Sequence, residues 1–398
     1  MIVVRAGRII TPLQDLRDAV VLIEGSKIVA VGRQDHIAVP DDARLIDVGD
    51  RIVAPGFIDI HHHGAMGVYA AEGVGAIRKI AQYLVKSGTT GWLPTVASVP
   101  GIDVFEGIKA IVASSKNGTG GADLIGIHME GPYLAPKRIA GHDELDVALE
   151  GPTVTGFRRY LEATEGTLKL MGIAPELEGA LDVIREMRRV GVVPAVAHTK
   201  GTYEHFMKAV EAGARHVTHT YNVMTGFHHR KPGVVGGALT CDQVTAEVIA
   251  DGYHVSPVAM DVLVRCKGVD KLAVITDNVP LSGLPDGKYE MFGRKIIKEN
   301  GISRLAGTTP DQDNTMAGSE WPMNHNVHNL IDLVGVSLRD AVRMGTLTPA
   351  TIIAVDDQKG SIEPGKDADL VVVDEQVRVY LTMVRGEILF EAAPSEVR

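Results

Sequence analysis

The sequence contains little of what marks secreted or nucleic-acid-binding proteins. Only two cysteines occur, Cys241 and Cys266, and neither belongs to a Cys-x-x-Cys pair, which excludes a disulfide scaffold and argues against a thiolate zinc site. The formal net charge is -10 and no stretch carries a dense basic run, so nucleic acid is not an expected partner. The cysteine usage indicates a reducing compartment.

Long apolar runs and two common catalytic motifs are also missing. No apolar run approaches the ~20 residues that span a bilayer, and the N-terminus has no charged region followed by a long apolar one. We therefore expect no membrane partner and a cytoplasmic location. Neither a Gly-x-Ser-x-Gly elbow nor a Gly-x-x-x-x-Gly-Lys-Ser/Thr loop occurs, so serine acyl transfer and P-loop chemistry lack their usual signals.

The chain nevertheless has ample material for a core. Its 398 residues are 45% hydrophobic and 5% aromatic, which suits one large domain with a smaller one beside it. From Val53 onward, short apolar runs alternate with segments of helical period, as is typical of parallel βα units. The runs predict strands over residues 52–61, 90–96, 124–130, 168–174, 193–198, 216–219, 247–250 and 271–277. Helices are predicted over residues 74–86, 104–115, 180–190, 203–212, 258–266 and 337–344, the last with Ser337 as its N-cap.

The two ends of the chain have a different pattern. Residues 1–54 hold short β-branched runs separated by turns, and residues 356–398 return to the same composition. The simplest architecture pairs these segments in one small β domain and leaves residues 55–355 for the barrel. The predicted fold is therefore α/β, a (β/α)8 TIM-like barrel with a small discontinuous β-sandwich domain from the N- and C-terminal segments.

Polar residues stand where several of the predicted strands end. In a (β/α)8 barrel the chemistry lies at the C-terminal ends of the strands, while apolar side chains fill the interior. The polar residues at these ends are His61, His63, Glu130, His198, His219 and Asp277. Imidazoles and carboxylates gathered at one rim indicate a site for a divalent ion such as zinc, iron, manganese or cobalt.

A histidine pair ends the first predicted strand. His61 and His63 are two residues apart, so their side chains point to the same face and can hold one ion, whereas His62 points to the opposite face. A pair at a strand end can also simply cap backbone carbonyls. The other rim residues favour the metal-binding interpretation.

A second set of ligands comes from later strands. His198 and His219, with the carboxylate of Glu130, would leave a fourth position open for water, as catalytic zinc sites require. His128 and His216 lie inside their predicted strands, and we assign them to supporting or packing roles.

Asp277 ends the eighth predicted strand. A metal ion lowers the pKa of the water it binds from ~15.7 to about 7. A carboxylate beside that water can take a proton from it and later deliver the proton to a leaving nitrogen. We therefore predict that Asp277 is the general base and acid of a metal-dependent hydrolysis.

Several short motifs follow one another along nearly the whole chain. Residues 55–64 end in His-His-His-Gly, residues 128–133 read His-Met-Glu-Gly-Pro-Tyr, and residues 219–224 read His-Thr-Tyr-Asn-Val-Met. Residues 229–233, 250–254, 276–277 and 316–319 continue the series. In this order the motifs resemble those of the N-acetylglucosamine-6-phosphate deacetylases of the amidohydrolase superfamily.

The resemblance implies roles for the rim residues. Glu130, His198 and His219 would bind the catalytic divalent metal, which we expect to be zinc, and Asp277 would be the base and acid. His61 and His63 fall where members with two metals place a second ligand pair, so one or two ions are expected.

The resemblance also implies a phosphorylated amino-sugar substrate and residues that bind it. His254 would contact the sugar and the acetyl carbonyl, the backbone at Asn222 and Val223 would help to hold the phosphate, and His142 would contact the substrate. Arg230 would reach the phosphate from the neighbouring subunit of a homodimer, since a guanidinium offers a planar fork of donors.

Departures from the family pattern leave the substrate open. Residues 276–279 read Thr-Asp-Asn-Val where Thr-Asp-Ala-Met is usual, and Tyr221 and Val223 replace the commoner Phe and Ala. The hydrolytic residues are intact, but the galacto epimer remains an alternative substrate. An N-acyl-D-amino-acid deacylase, a cyclic amidase and a non-catalytic sugar-phosphate-binding protein are the alternatives by function.

Overall fold

The computed structural model describes residues 1–99, 101–135, 151–307 and 316–393. The strands are β1 (Ile2–Ile10), β2 (Asp15–Glu24), β3 (Lys27–Arg33), β4 (Arg44–Asp47), β5 (Ile52–Pro55), β6 (Phe57–His62), β7 (Gly64–Ala65), β8 (Val68–Tyr69), β9 (Thr89–Ala97), β10 (Asp123–Leu124), β11 (Ile127–Glu130), β12 (Leu168–Ile173), β13 (Val193–Val196), β14 (His216–Val217), β15 (Thr245–Ile249), β16 (Leu272–Ile275), β17 (Gly287–Met291), β18 (Arg294–Glu299), β19 (Ile302–Leu305), β20 (Leu370–Val373), β21 (Val379–Val384) and β22 (Glu387–Glu391). The helices are α1 (Val74–Leu84), α2 (Val104–Asn117), α3 (Val154–Ala163), α4 (Ala180–Arg189), α5 (Tyr203–Ala212), α6 (Gly233–Thr240), α7 (Pro257–Lys267), α8 (Met323–Asp332), α9 (Leu338–Met344) and α10 (Leu347–Ile352).

A parallel barrel forms the larger part of the molecule and confirms the predicted fold class. Strands β6, β9, β11, β12, β13, β14, β15 and β16 pair side by side in chain order, each parallel to the next. Its interior is filled by fully buried aliphatic side chains, among them Ile60, Leu93, Leu170, Ile249 and Ile275. Because the strands are parallel, their C-terminal ends share one rim.

The barrel closes between its first and last strands through a few contacts near the rim. The backbone N–H of Asp277 donates to the carbonyl of His61 at 2.9 Å, and His62 and Asn278 form an isolated parallel bridge. These contacts place the end of β6 directly beside the end of β16.

Two strands that were each predicted as continuous are divided in the structure, so their predicted bounds were wrong. The run 52–61 is divided at Gly56 into β5, which pairs with β1 and β20, and β6, which enters the barrel. A Cβ at Gly56 would lie 2.1 Å from the Thr90 side chain, so the close approach requires glycine. The run 124–130 is divided near Gly126, whose φ of 150° interrupts the extended backbone between β10 and β11.

The second sheet joins the two ends of the chain, as predicted. β1 lies inside this sheet and pairs with β2, β4 and β5, while β20, β21 and β22 extend it beyond β5. Side chains from both segments share one core, including Val21, Ile23, Val53, Leu370 and Met383. Lys359 links this sheet to the barrel, because its buried ammonium contacts Asp123 at 3.0 Å and Asp369 at 2.6 Å.

The helices agree with the sequence pattern where that pattern was strong. Helix α5 has the predicted bounds, and the Ser337 side chain caps α9 by accepting from the backbone N–H of Asp340. Helices α3, α6, α8 and α10 and the antiparallel sheet β17–β18–β19 were not predicted. Within the described ranges, no helix has both the length and the apolar character needed to cross a bilayer.

Candidate metal centre

The barrel rim gathers the six residues predicted from the strand ends. His61 and His63 lie at the end of β6, Glu130 is the last residue of β11, and the other three follow shortly after β13, β14 and β16. Glu130 is 7% exposed and His61 is fully buried, so the cluster lies below the surface of the rim.

Glu130 stands at the centre of the cluster and contacts both sets of histidines. Its Oε1 lies 2.8 Å from Nε2 of His198 and 2.9 Å from Nε2 of His219. Its two oxygens also lie 3.6 Å and 3.2 Å from the Nε2 atoms of His61 and His63, respectively. Two groups of potential metal ligands therefore share one carboxylate, and within each group the donor atoms lie within 4.8 Å of one another.

The donor set fits a divalent cation. The Nε2 atoms of His198 and His219 are 3.0 Å apart, and those of His61 and His63 are 3.2 Å apart. Nδ1 of His61 lies 3.0 Å from the carboxylate of Glu247, an arrangement that keeps the proton on Nδ1 and leaves the Nε2 lone pair for an ion. When these imidazoles give up the proton on Nε2, their lone pairs face one another at these distances, and a cation held between them is bound by both.

Electrostatics at the cluster also favour positive charge. Burial alone would lower the pKa of His61, but the negative charges of Asp277 and Glu247 raise it to about 10. For His63, burial lowers the pKa, while Asp277 and Glu130 raise it to about 9. The carboxylates therefore hold two positive charges at this pair in the metal-free protein, and an ion would take the place of those protons.

Metal binding at the His61–His63 pair should release protons and strengthen as the pH rises. Below its raised pKa each histidine carries a second ring proton, which it must lose before it can coordinate a metal. Each proton released makes the metal affinity rise about tenfold per pH unit, until the pH passes about 9 to 10. Calorimetry in buffers of different ionisation enthalpy at neutral pH would count these protons. His61→Asn is the matched variant and should release fewer; equal release from both proteins would contradict the prediction.

Asp277 lies beside the histidine pair. Its Oδ1 is 3.4 Å from Nε2 of His61 and 3.3 Å from Nε2 of His63. Burial would raise its pKa, but the positive charges of His61 and His63 hold the pKa well below the ordinary range. Asp277 is thus ionised at neutral pH and can accept a proton.

Three residues of the cluster have a backbone conformation that non-glycine residues rarely adopt. The φ angles are 40° at His198, 26° at His219 and 51° at Asp277. Such strain persists only where the surrounding structure requires it, and it concentrates at functional sites. The turn after each of these strands therefore aims its side chain at the common centre instead of continuing the strand.

Four of the five predicted substrate residues follow barrel strands β14 and β15 and lie outside the cluster. The amide of Asn222 donates to the carbonyl of His219 at 3.3 Å, and Val223 has a φ of 51°. The His254 Nδ1 lies 2.6 Å from the carboxylate of Asp251, and the exposed Arg230 contacts the His229 ring at 2.7 Å. The remaining predicted residue, His142, lies outside the described residues.

Glu247 was missed by the sequence analysis. Its fully buried carboxylate lies 3.0 Å from Nδ1 of His61 and 3.0 Å from Nε2 of His216, and it accepts from the backbone N–H of His219 at 2.9 Å. It therefore contacts a residue from each set of ligands, and the His216 ring lies beside it. The available signal was a charged residue inside an apolar strand, because charges are rarely buried unless they are paired.

Removal of the Glu247 charge should weaken metal binding without removing a ligand. In Glu247→Gln the neutral amide oxygen holds the His61 proton on Nδ1 more weakly than the carboxylate does, and we expect metal affinity to fall by about 10–100-fold, the usual cost of losing such a partner. Equilibrium dialysis with zinc would measure it. The control is Glu186→Gln, which removes a carboxylate on α4 that pairs with Arg158 and Arg189, and it should bind zinc like the wild type. Equal losses of zinc affinity in both variants would refute the assignment.

Comparison with known proteins agrees with this geometry. The chain matches the family model described as the amidohydrolase family over residues 52–389, and it belongs to that family. Its relatives include N-acetylgalactosamine-6-phosphate deacetylase from Escherichia coli O157:H7, 33% identical over 388 residues, which are 97% of this chain and 98% of that protein. N-acetylglucosamine-6-phosphate deacetylase from Bacillus subtilis is 31% identical over 386 residues, 96% of this chain and 95% of that protein.

Solved structures give the same result. A mutant N-acetyl-D-glucosamine-6-phosphate deacetylase from Mycobacterium smegmatis, in complex with N-acetyl-D-glucosamine-6-phosphate, is similar with a TM-score of 0.88 at 30% identity. The match covers 98% of this chain and 99% of that one. The resemblance to the N-acetylglucosamine-6-phosphate deacetylases is therefore confirmed, and the chain is a hydrolase of carbon–nitrogen bonds.

Proposed function

We propose that this enzyme hydrolyses N-acetylglucosamine-6-phosphate to glucosamine-6-phosphate and acetate. The observation that carries the proposal is the convergence of Glu130, His198 and His219 with Asp277 at one barrel rim, in a chain similar over nearly its whole length to deacetylases of that substrate. The site thus combines ligands for a metal with an ionised carboxylate beside them.

The residues of the chain divide the reaction between them. A divalent ion held by the histidines and Glu130 would activate water and polarise the acetyl carbonyl. Asp277 takes one proton from the attacking water and delivers it to the sugar nitrogen as the carbon–nitrogen bond breaks, which releases the free amine and acetic acid. The acid then gives the other water proton to solvent and leaves as acetate. A positioned acid and base of this kind contributes about 10²–10⁴-fold to the rate.

The metal is proposed to be zinc, bound as one or two ions. Glu130, His198 and His219 would hold the first ion, and His61 and His63, with Glu130 shared, would hold the second. Imidazole and carboxylate also suit iron, manganese and cobalt, and metal analysis of the purified protein decides among them.

Substrate recognition is proposed to use the residues around the rim. Arg230, supplied by the second subunit of a homodimer, would bind the phosphate together with the backbone at Asn222 and Val223. His254 and His142 would contact the sugar and its acetyl group. We further propose a cytoplasmic location, which the low cysteine content supports, and a domain division into residues 1–54 with 356–398 and residues 55–355.

The galacto epimer is the second candidate substrate, since one relative is an N-acetylgalactosamine-6-phosphate deacetylase. The test is acetate release by the zinc-loaded enzyme from N-acetylglucosamine-6-phosphate, its galacto epimer and unphosphorylated N-acetylglucosamine. Preference for the first sugar supports the proposal, and preference for the second reassigns the epimer. Turnover that ignores the phosphate, or no turnover of any of them, rejects the proposal in favour of an acyl-amino-acid or cyclic amide substrate.

A further inference from the structure

A second buried carboxylate lies outside the metal cluster, and none of the roles above uses it. Asp59 is in the middle of β6, between the interior residues Ile58 and Ile60, and it is fully buried. A buried charge is costly unless donors surround it, so its surroundings show what it does.

Asp59 joins the first strand of the barrel to the last. One oxygen accepts from the backbone N–H groups of His61 and Thr276, both at 3.3 Å. The other oxygen accepts a hydrogen bond of 2.5 Å from the Thr276 hydroxyl and lies 3.2 Å from Nδ1 of His62. The carboxylate therefore bridges β6 and the residue that follows β16.

The distances assign the protons of this network. The Thr276 hydroxyl has a single proton, and its contact of 2.5 Å with Asp59 is much shorter than that of 3.5 Å with the carbonyl of His61, so we assign the proton to Asp59. The hydroxyl oxygen is then the acceptor for Nδ1 of His62, which lies 3.1 Å away. His62 thus donates into the network from Nδ1. This accounts for the middle residue of the histidine run, whose ring faces away from the metal cluster.

The location of the bridge relates it to the chemistry. Thr276 immediately precedes Asp277, and the His61 N–H that Asp59 holds belongs to a predicted metal ligand. In the described part of the chain, β6 and β16 do not pair as a regular ladder, and their backbone contact is limited to the end near His61 and Asp277. Asp59 supplies cross-strand hydrogen bonds where the ladder is missing.

We propose that Asp59 is a positioning residue of this active site. Through Thr276 it fixes the separation between the His61–His63 pair and Asp277, which lie 3.3 to 3.4 Å apart. Its catalytic consequence rests on the proposed function, whereas its effect on metal binding does not. A purely structural role in closing the barrel would instead lower stability alone.

The test compares Asp59→Asn and Thr276→Val with Thr276→Ser, which keeps the hydroxyl. Thr382→Val is the matched control, because it removes another buried hydroxyl, one on β21 that donates to the carbonyl of Val85 at 2.7 Å. Each protein is loaded with zinc and measured for bound zinc per chain, kcat and KM with N-acetylglucosamine-6-phosphate, and midpoint of urea unfolding.

The expected result separates the two roles. Asp59→Asn and Thr276→Val should weaken zinc binding at the second subsite by about 10–100-fold and lower kcat by roughly 10²-fold, as misplacement of reacting groups does, with KM little changed. Thr276→Ser should recover most of both. Loss of unfolding stability with full zinc content and full kcat, as expected for Thr382→Val, would overturn the proposal.

Failure of the proposed function would be recognisable on its own. If the wild type turns over none of the sugars, zinc titration still reports the positioning role, because it needs no substrate. If both Asp59→Asn and Thr276→Val then bind zinc with wild-type stoichiometry and affinity, the positioning role of Asp59 is rejected.

Discussion

Asp277→Asn should lower kcat by about 10²–10⁴-fold while zinc stays bound at the Glu130, His198 and His219 set. The amide has nearly the size of the carboxylate but cannot accept the proton of the attacking water. The amide should also keep the place of the carboxylate beside the histidine pair, 3.3 to 3.4 Å away, so KM should change far less than kcat. Acetate release by the zinc-loaded variant, with metal content measured on the same sample, checks this.

A matched variant shows whether the loss belongs to this position. Asp261→Asn removes a half-exposed carboxylate that pairs with Arg265 on α7, and it should keep wild-type kcat and zinc content. Substantial activity in Asp277→Asn would mean that another residue transfers the proton. Activity lost in step with zinc would instead make Asp277 a ligand.

Glu130→Gln should have the largest effect on metal binding. All four cluster histidines lie within 3.6 Å of the Glu130 carboxylate, so its replacement removes a charged ligand from both groups at once. We expect zinc affinity to fall by more than about 100-fold, since loss of a mere supporting partner already costs 10–100-fold. Activity should fall with it and recover in part at high zinc concentration.

The control for Glu130→Gln is another carboxylate on the barrel. Glu106→Gln changes an exposed side chain on α2 that pairs with Lys109, and zinc binding should be unaffected. Titration by competition with a zinc-binding dye gives both affinities. An unchanged affinity in Glu130→Gln would mean that the histidines bind the ion without the carboxylate, and the shared-ligand arrangement would be wrong.

The barrel and most of its rim could be predicted because both leave local signals. A buried parallel strand is a short apolar run, and a functional residue such as His198 or Glu130 appears as the polar residue that ends it. The sharing of Glu130 between two groups of histidines could not be predicted, since it depends on how far apart four strand ends lie. Strand lengths and sequence spacing do not determine that distance.

Other features of the fold had only a weak signal in the local sequence, or depended on contacts between residues distant in the sequence. Gly56 divides β5 from β6 because Thr90, distant in sequence, leaves no room for a side chain. By contrast, the sheet β17–β18–β19 contains the pair Asn300 and Gly301, whose φ angles of 54° and 72° suit the tight hairpin turns that Asn-Gly favours. That dipeptide was a usable local signal for the hairpin between β18 and β19.

The pairing of β5 with β20 sets an order of events during synthesis. Ile52, Val53 and Ala54 are buried in a sheet whose neighbouring strand, Leu370–Val373, lies about 300 residues further along the chain. At about 5–20 residues per second, the ribosome needs roughly 15–60 s to produce that strand. Until then the nascent chain carries an open, apolar strand edge, which makes the interval before β20 emerges the period when the newly made enzyme is most exposed to aggregation.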